Sequence, residues 1–251
     1  NIGMDSIVFF DDSKFEREQM KKFCSEINTI DVPDNPHFFM QILEDSGYFD
    51  ISKITKEDKN KYQRYYLLKK AKDLKSKYQN FESFLKNLSM VIEVSDINKY
   101  NFERCVQMIN KTNQFNLTTK RYTSQKLKNF IDSSHQVSRV FRIEDKFGDH
   151  GITGLAMAQK KSNGIWIIDT FLLSCRILGR NLEKIMLIEL LKKLKQKNAS
   201  IVRGQYIKTK KNQICKNFYE KNKFIKKQKF LESDLNKYNF EIPNYFNVRH
   251  I

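Results

Sequence analysis

The chain has 251 residues and a formal net charge of +17, with 46 basic against 29 acidic side chains. That length gives room for one large or two small domains, each with its own core. No run of about 18 apolar residues occurs, which argues against a membrane-spanning helix and against a membrane as partner.

The first residues, Asn1-Ile2-Gly3-Met4-Asp5, lack the basic and apolar parts of a signal peptide and read as a start inside a larger protein. The lysine excess is spread along the chain, densest at Lys192–Lys197, Lys208–Lys211 and Lys221–Lys229. Without an arginine-rich arm or a nucleic-acid motif, it argues against nucleic acid as partner. Cys24, Cys105, Cys175 and Cys215 are widely spaced, with no Cys-x-x-Cys pair. This argues against a disulfide framework or a structural zinc site and leads us to expect a reducing cytoplasm.

Ser6–Phe10 reads as a short buried strand closed by Asp11-Asp12-Ser13. Paired carboxylates at a strand end suit Mg²⁺, which takes hard oxygen ligands. Asp11 and Asp12 serve equally as the N-cap of a helix over Phe15–Ile27, whose apolar face would be Phe15, Met20, Phe23 and Ile27. A second helix is expected near His37–Asp45. Lys56–Leu88 has no Gly or Pro and reads as mostly helical, its aromatics recurring at helical spacing as packing surface.

A new domain is expected from Ser89. Met90–Val94 reads as a strand, Asn98–Asn110 as a helix, Lys111–Tyr122 as a polar loop and Ser124–Ile131 as a helix. Gln136–Glu144 alternates in strand fashion, Phe147–Gly151 is a turn and Ile152–Gln159 a further strand. Asn163-Gly164 signals a tight hairpin leading into an apolar strand, Ile165–Ser174. Asn181–Gln196 is apolar around most of its circumference, so a deeply buried helix is predicted. Ile201–Tyr206 reads as a strand, Asn212–Lys221 as a helix and Phe224 onward as a last strand. After Ser233 the polar, aromatic-dotted sequence has no assignable pattern.

The stretch Ile167–Arg180 joins a buried strand to a short basic turn and a helix start. The free N–H groups of a helix's first turn favour an anion. Cys175 stands at the mouth of that turn, where a thiol can act as nucleophile or end the strand as a small buried hydrophobe. Asp169 and His150 are the nearest candidates for base or orienter, although His150 equally reads as a surface loop histidine.

The order β-α-α-β-β-β-α-β-α-β, with Arg176-x-x-Gly179-Arg180 after the fourth strand, resembles the GNAT acyltransferase fold. In that family this turn binds the pyrophosphate of coenzyme A. The resemblance therefore implies Arg176, Gly179, Arg180 and Asn181 as contacts to coenzyme A or to phosphopantetheine. Asn217–Phe224 resembles the family's late helix and turn.

Three stretches are more specific. Val8–Glu18 resembles the last acidic motif of a haloacid-dehalogenase (HAD)-type phosphatase, and Ile109–Tyr122 and Asp169–Arg180 follow it in order. Together they resemble the FkbH-like family of glyceryl transferase/phosphatases. The fold implied is α/β: a GNAT-like mixed sheet flanked by helices, preceded by a mostly helical segment left from a HAD-like phosphatase domain. The implied division is 1–55 phosphatase remnant, 56–88 helical connector, 89–231 acyltransferase domain and 232–251 tail.

The activity implied is transfer of a glyceryl group from 1,3-bisphosphoglycerate, a small phosphorylated three-carbon donor, with removal of phosphate, to the phosphopantetheine thiol of an acyl carrier protein. A cysteine thioester lies in between, and Cys175 is its expected carrier. Asn110, Asn113, Gln114 and Asn116 would offer amides, and Thr118 and Thr119 hydroxyls, to a small polyol acid; loop capping is their other use. Mg²⁺ at Asp11 and Asp12 would serve the phosphatase half, whose Asp-x-Asp nucleophile has no counterpart in this sequence. The positive charge would suit an acidic carrier protein. The competing readings are a coenzyme A-dependent N-acetyltransferase without a covalent intermediate and a non-catalytic carrier-protein docking module.

Overall fold

A computed structural model describes residues 3–50, 80–162, 164–228 and 230–251. The chain divides into two compact units, 1–58 and 59–251. The helical stretch expected over 56–88 lies outside the described residues up to 79, and the hairpin residue Asn163 lies outside them as well.

In the first unit, β1 (Val8–Phe9) and β2 (Asn28–Thr29) pair in parallel, joined by α1 (Lys14–Phe23). Ser13, not Asp11 or Asp12, caps the helix, accepting the Glu16 N–H at 3.4 Å. The expected apolar face of α1 is not buried. Phe15 and Phe23 are exposed, and the one buried residue of the helix is Arg17. Its guanidinium is held by the carbonyls of Asp11 and Asp12, at 2.9 Å each. A second helix, α2 (Phe39–Asp45), follows a 3₁₀ turn at Pro36–Phe38.

The second unit opens with α3 (Phe81–Leu88), capped by Asn80 and stopped at Ser89, whose φ of 50° is left-handed. The strands and helices after it are β3 (Met90–Ser95), α4 (Phe102–Lys111), β4 (Phe115–Asn116), α5 (Ser124–Ile131), β5 (Gln136–Asp145), β6 (Gly148–Ser162) and β7 (Ile165–Leu173). Then come α6 (Leu182–Gln196), β8 (Ile201–Gly204), α7 (Phe218–Lys221), β9 (Ile225–Lys227), β10 (Phe230–Asp234) and β11 (Phe246–His250).

The strands form one mixed sheet in the order β11-β3-β5-β6-β7-β8-β10-β9, with β4 paired to β7. The pairs β11·β3 and β7·β8 are parallel and the rest antiparallel. The expected mixed sheet flanked by helices is thus the one observed. The strand expected from Phe224 onward is the β9–β10 hairpin, and the unpatterned tail is part of the sheet as well, through β11.

Two cores, one for each face, hold this sheet. On one face α6 lays Leu187, Leu190, Leu191 and Leu194 among Phe141, Ala156, Trp166 and Ile168. The sheet covers the apolar residues of this helix, the C-terminal strand is tied to it through Glu189 and His250, and its lysines stay at the surface. Gly154 of β6 permits the close approach, since a Cβ there would lie 2.6 Å from the Met186 sulfur. On the other face Cys105, Met108 and Ile109 of α4 and Leu127 and Phe130 of α5 pack on Val140, Leu155, Met157 and Leu172. Cys105 is therefore a packing residue, and burial pushes its thiol up to about 12. Glu189, buried in α6, accepts Lys192 at 3.0 Å and pairs with His250 at 2.7 Å, which fastens β11.

Candidate active site

Strand β7 is the hinge of the sheet. Its apolar residues are covered on both faces, as expected of a strand next to a parallel neighbour. Its pairing with β8 covers Ile165, Ile167 and the residue between them, and then the two strands part. The edge that β7 would otherwise offer beyond this point is filled by the chain itself. Phe115 and Asn116 of β4 pair with Leu173 and Leu172, and Leu117 donates to the Phe171 carbonyl at 3.1 Å. On the far side the Ile207 N–H bonds the Leu117 carbonyl at 2.8 Å, and Asn212 Nδ2 donates to the Asn116 carbonyl at 2.9 Å. Phe115 is anchored against the rings of Phe171 and Phe218, with centroids 6.3 and 5.5 Å away.

Asp169 sits at a bulge in β7. Thr170 faces Met157 and Ile168 faces Ala158, so Asp169 is the extra residue between them. A bulge re-aims a side chain, and this one aims a carboxylate at the 118–122 segment. Asp169 is 2% exposed and accepts the Tyr122 hydroxyl at 2.7 Å, Thr170 Oγ1 at 2.9 Å and Gln159 Nε2 at 3.4 Å, besides an ion pair with Lys120. Its backbone carbonyl takes the Thr118 hydroxyl at 2.8 Å. Burial, followed by the bond to Asp169, pushes the Tyr122 phenol well above its usual range. Lys120 and Tyr122 escaped the sequence reading. They lie in the Ile109–Tyr122 run it singled out, but a lysine and a tyrosine among so many others carry no signal of their own.

Beyond Leu173 the chain turns sharply. Ser174 N–H donates to the Thr153 carbonyl at 2.7 Å, and a 3₁₀ turn runs Cys175–Ile177. Ile177 is buried as its anchor, and Cys175 is exposed. Gly179 has φ of 77° and Asn181 has φ of 58°, so the turn into α6 passes through two left-handed residues. Arg176 Nη2 donates to the Ile152 carbonyl at 3.3 Å.

Arg180 does not face an outside anion. It is 4% exposed and ion-paired with Asp145, and His150 Nε2 lies 3.0 Å from the same carboxylate and 3.2 Å from Arg180 Nη1. Burial pushes the Asp145 carboxyl up, but the His150 bond and the Arg180 charge together hold it below the usual range. Burial lowers Arg180. His150 is thus neither a surface loop residue nor beside Cys175 in the chain: it is buried in β6, in a closed triad.

The first turn of α6 also carries Glu183, whose carboxyl burial raises and whose Oε2 has no hydrogen-bond partner among the described residues. Of the residues expected to contact a diphosphate, Arg180 is turned inward, and a carboxylate stands in the first turn of the helix.

Most of the expected substrate amides instead fold their own loop. Asn110 Nδ2 donates to the carbonyls of Val106 and Tyr122 at 3.0 and 2.9 Å. Asn113 accepts Arg121. Asn116 donates to the Thr112 carbonyl at 3.1 Å and accepts the Thr119 N–H at 2.9 Å, where φ is 53°. Gln114 is half-buried, and its carbonyl faces the buried Cys215 thiol at 3.8 Å.

In the first unit Asp11 Oδ1 accepts the Ser13 N–H at 2.8 Å. Among the described residues no group of three metal-ligating side chains occurs. The Arg17 guanidinium is held by the backbone carbonyls of the same two residues, so a cation already stands at this strand end.

No family model matches the chain, and no curated protein matches it. Solved structures do. The PaiA N-acetyltransferase of Thermoplasma acidophilum in complex with coenzyme A is similar at 17% identity over 57% of this chain and 98% of that one, with a TM-score of 0.44. A GNAT-family acetyltransferase of Staphylococcus aureus Mu50 is similar at 13% identity over 57% and 99%, with a TM-score of 0.44. The spermidine N-acetyltransferase of Vibrio cholerae with coenzyme A and spermine is similar at 10% identity over 59% and 97%, with a TM-score of 0.45. No helix among the described residues is long and apolar enough to cross a membrane.

Proposed function

We propose that the larger unit is an acyltransferase that carries its acyl group as a thioester on Cys175. We further propose that it moves a glyceryl group from 1,3-bisphosphoglycerate to the phosphopantetheine thiol of an acyl carrier protein. The observation that carries the first statement is the exposure of Cys175 at the end of the buried β7, while Cys105 and Cys215 are sealed in the cores. The second rests on the sequence resemblance of Ile109–Tyr122 and Asp169–Arg180.

In the first half-reaction the Cys175 sulfur attacks the acyl-phosphate carbonyl. The carbon–sulfur bond forms, the carbon–oxygen bond to the 1-phosphate breaks, and that phosphate leaves with the electron pair, giving a 3-phosphoglyceryl thioester; a phosphatase activity then hydrolyses the 3-phosphate ester with water, releasing inorganic phosphate and leaving the glyceryl group. In the second, Cys175 yields the acyl carbon to the carrier's thiol sulfur and leaves as thiolate, while the proton of the attacking thiol passes to solvent. The lysines of Lys208–Lys211 follow β8, at the same end of the parallel pair as Cys175, and would steer an acidic carrier there.

The rival reading is direct transfer from coenzyme A with Asp169 as base. Two features count against it. Asp169 is already engaged by Lys120, Tyr122, Gln159 and Thr170, and the opening between β7 and β8 is occupied by residues 115–118.

Intact-protein mass spectrometry after incubation with the acyl phosphate tests the proposal. The wild type should gain one 3-phosphoglyceryl mass that hydroxylamine removes, or one glyceryl mass when a separate phosphatase is added, and Cys175→Ala should gain none and fail to load the carrier. Carrier loading by Cys175→Ala at the wild-type rate would sink the covalent route.

A further inference from the structure

The covalent route needs a cation beside Cys175, because the departing phosphate takes an electron pair. Arg180, which the sequence suggested for an anion, is turned inward to Asp145. Two other guanidinium groups converge on this point from separate elements. Gly154 of β6 faces Leu173 of β7, and the Ser174 N–H reaches the Thr153 carbonyl at 2.7 Å. The antiparallel count, carried one residue further, sets Ile152 beside Cys175, and β6 touches the Cys175–Ile177 turn. The Ile152 carbonyl accepts Arg176 Nη2, from that turn, at 3.3 Å and Arg104 Nη2, from α4, at 3.4 Å.

Both side chains are half-buried, and the Nε atom of each is sealed from solvent. The stems are thereby fixed, and the Nη ends are what a ligand can meet. Arg104 Nη1 also donates to Gln107 Oε1, which holds its head further. Two guanidinium groups on one acceptor concentrate positive potential at the acyl site, and their N–H donors match phosphate oxygens in pairs.

We propose that Arg104 and Arg176 hold the acyl phosphate of the donor and stabilise it as it leaves, selecting donors of that class. This rests on the thioester reading of Cys175. As the sulfur attacks, the carbon–oxygen bond breaks and its electron pair stays on the phosphate oxygen. The two guanidinium groups meet the charge that develops there. The acyl phosphate, not the distal one, is the group they meet, because both heads sit at the residue beside Cys175.

The test compares acylation of Cys175 by 1,3-bisphosphoglycerate, acetyl phosphate and p-nitrophenyl acetate, the last an acyl donor without phosphate, read by peptide mass spectrometry. The ratio of an acyl-phosphate rate to the p-nitrophenyl acetate rate cancels the thiolate fraction, which the donors share. In Arg104→Gln and in Arg176→Gln that ratio should fall about ten- to a hundredfold for both acyl phosphates. Arg104→Lys, which keeps the charge, should recover part of it. Arg176→Gln carries the test alone should Arg104→Gln fail to fold. An unchanged ratio in either folded variant overturns the proposal. So does a fall confined to 1,3-bisphosphoglycerate, which would put the arginines on the distal phosphate. A wild type that p-nitrophenyl acetate acylates and neither acyl phosphate does sinks the acyl-phosphate route itself, and this proposal with it.

Discussion

The two ends of the Asp169–Cys175 stretch use polar chemistry in opposite ways. Asp169 is a buried charge with four donors around it, and Cys175 is an exposed thiol at a turn that the packing leaves open. A carboxylate so fully engaged has its oxygens taken up by its neighbours, whereas a thiol at the surface is open to a reactant. Perturbation and burial mark functional groups only when the group still has something unspent. On the proposed function, the scaffold lies at one end of this stretch and the chemistry at the other.

The largest effect that sharpens this contrast is thiol selectivity. Burial pushes Cys105 up to about 12 and Cys215 up to about 11, so neither has appreciable thiolate near neutral pH. At pH ~8, iodoacetamide should label Cys175 at least about a hundredfold faster than either, read by peptide mass spectrometry. Labelling of Cys105 at a comparable rate would break the assignment of exposure to one end.

Next is Asp169→Asn, which keeps the shape and removes the charge. It should cost about 1–3 kcal/mol in urea unfolding, because Lys120 loses its counter-charge and one of the two accepting oxygens becomes an N–H₂ donor. Glyceryl loading on Cys175 should fall less than about tenfold under conditions where the variant is folded, a barrier change below about 1.4 kcal/mol. If Asp169→Asn stays folded yet abolishes transfer, Asp169 is the reacting base and the direct route is correct.

The smallest effect lies in the Asp145 triad. Asp145 has a folded pKa below its ordinary 3.8, so its contribution to stability is present above that value and is lost as pH falls through the lower, folded one. The urea midpoint should therefore drop on acidification below about pH 4, and Asp145→Asn should show a lower midpoint at neutral pH with a flatter acid limb. An acid limb that keeps its slope in Asp145→Asn would place the acid sensitivity elsewhere.

Much of this fold was legible in the sequence. The all-round apolar helix at Leu182–Gln196, the alternation in Gln136–Asp145 and the Thr123-capped helix Ser124–Ile131 each carry a periodic signal, and each was found near its predicted bounds. What escaped has physical reasons. The strand β4 is two residues long inside a run of amides, too short for any period to appear. The tail read as patternless because β11 is set by its partner β3, some 150 residues earlier in the chain. His150 looked like a turn residue between glycines, yet β6 begins at Gly148 and carries it inward. Arg180 was read as anion-facing because a sequence shows that an arginine is present and not which way it points. Asp145 decides that.

The strand that closes the gap between β7 and β8 has a consequence for how the protein matures. Thr118 reaches across 51 positions to Asp169, and Asn212 reaches back 96 to Asn116. Such long closures are slow and late in folding, since their entropy is spent before the contact rewards it. Residues 115–118 cannot settle until β7 and the segment after β8 have both been made and docked. A nascent or partly unfolded chain therefore holds its thiol beside an open sheet edge, and the reactive end of β7 acquires its final surroundings only when nearly the whole domain is in place.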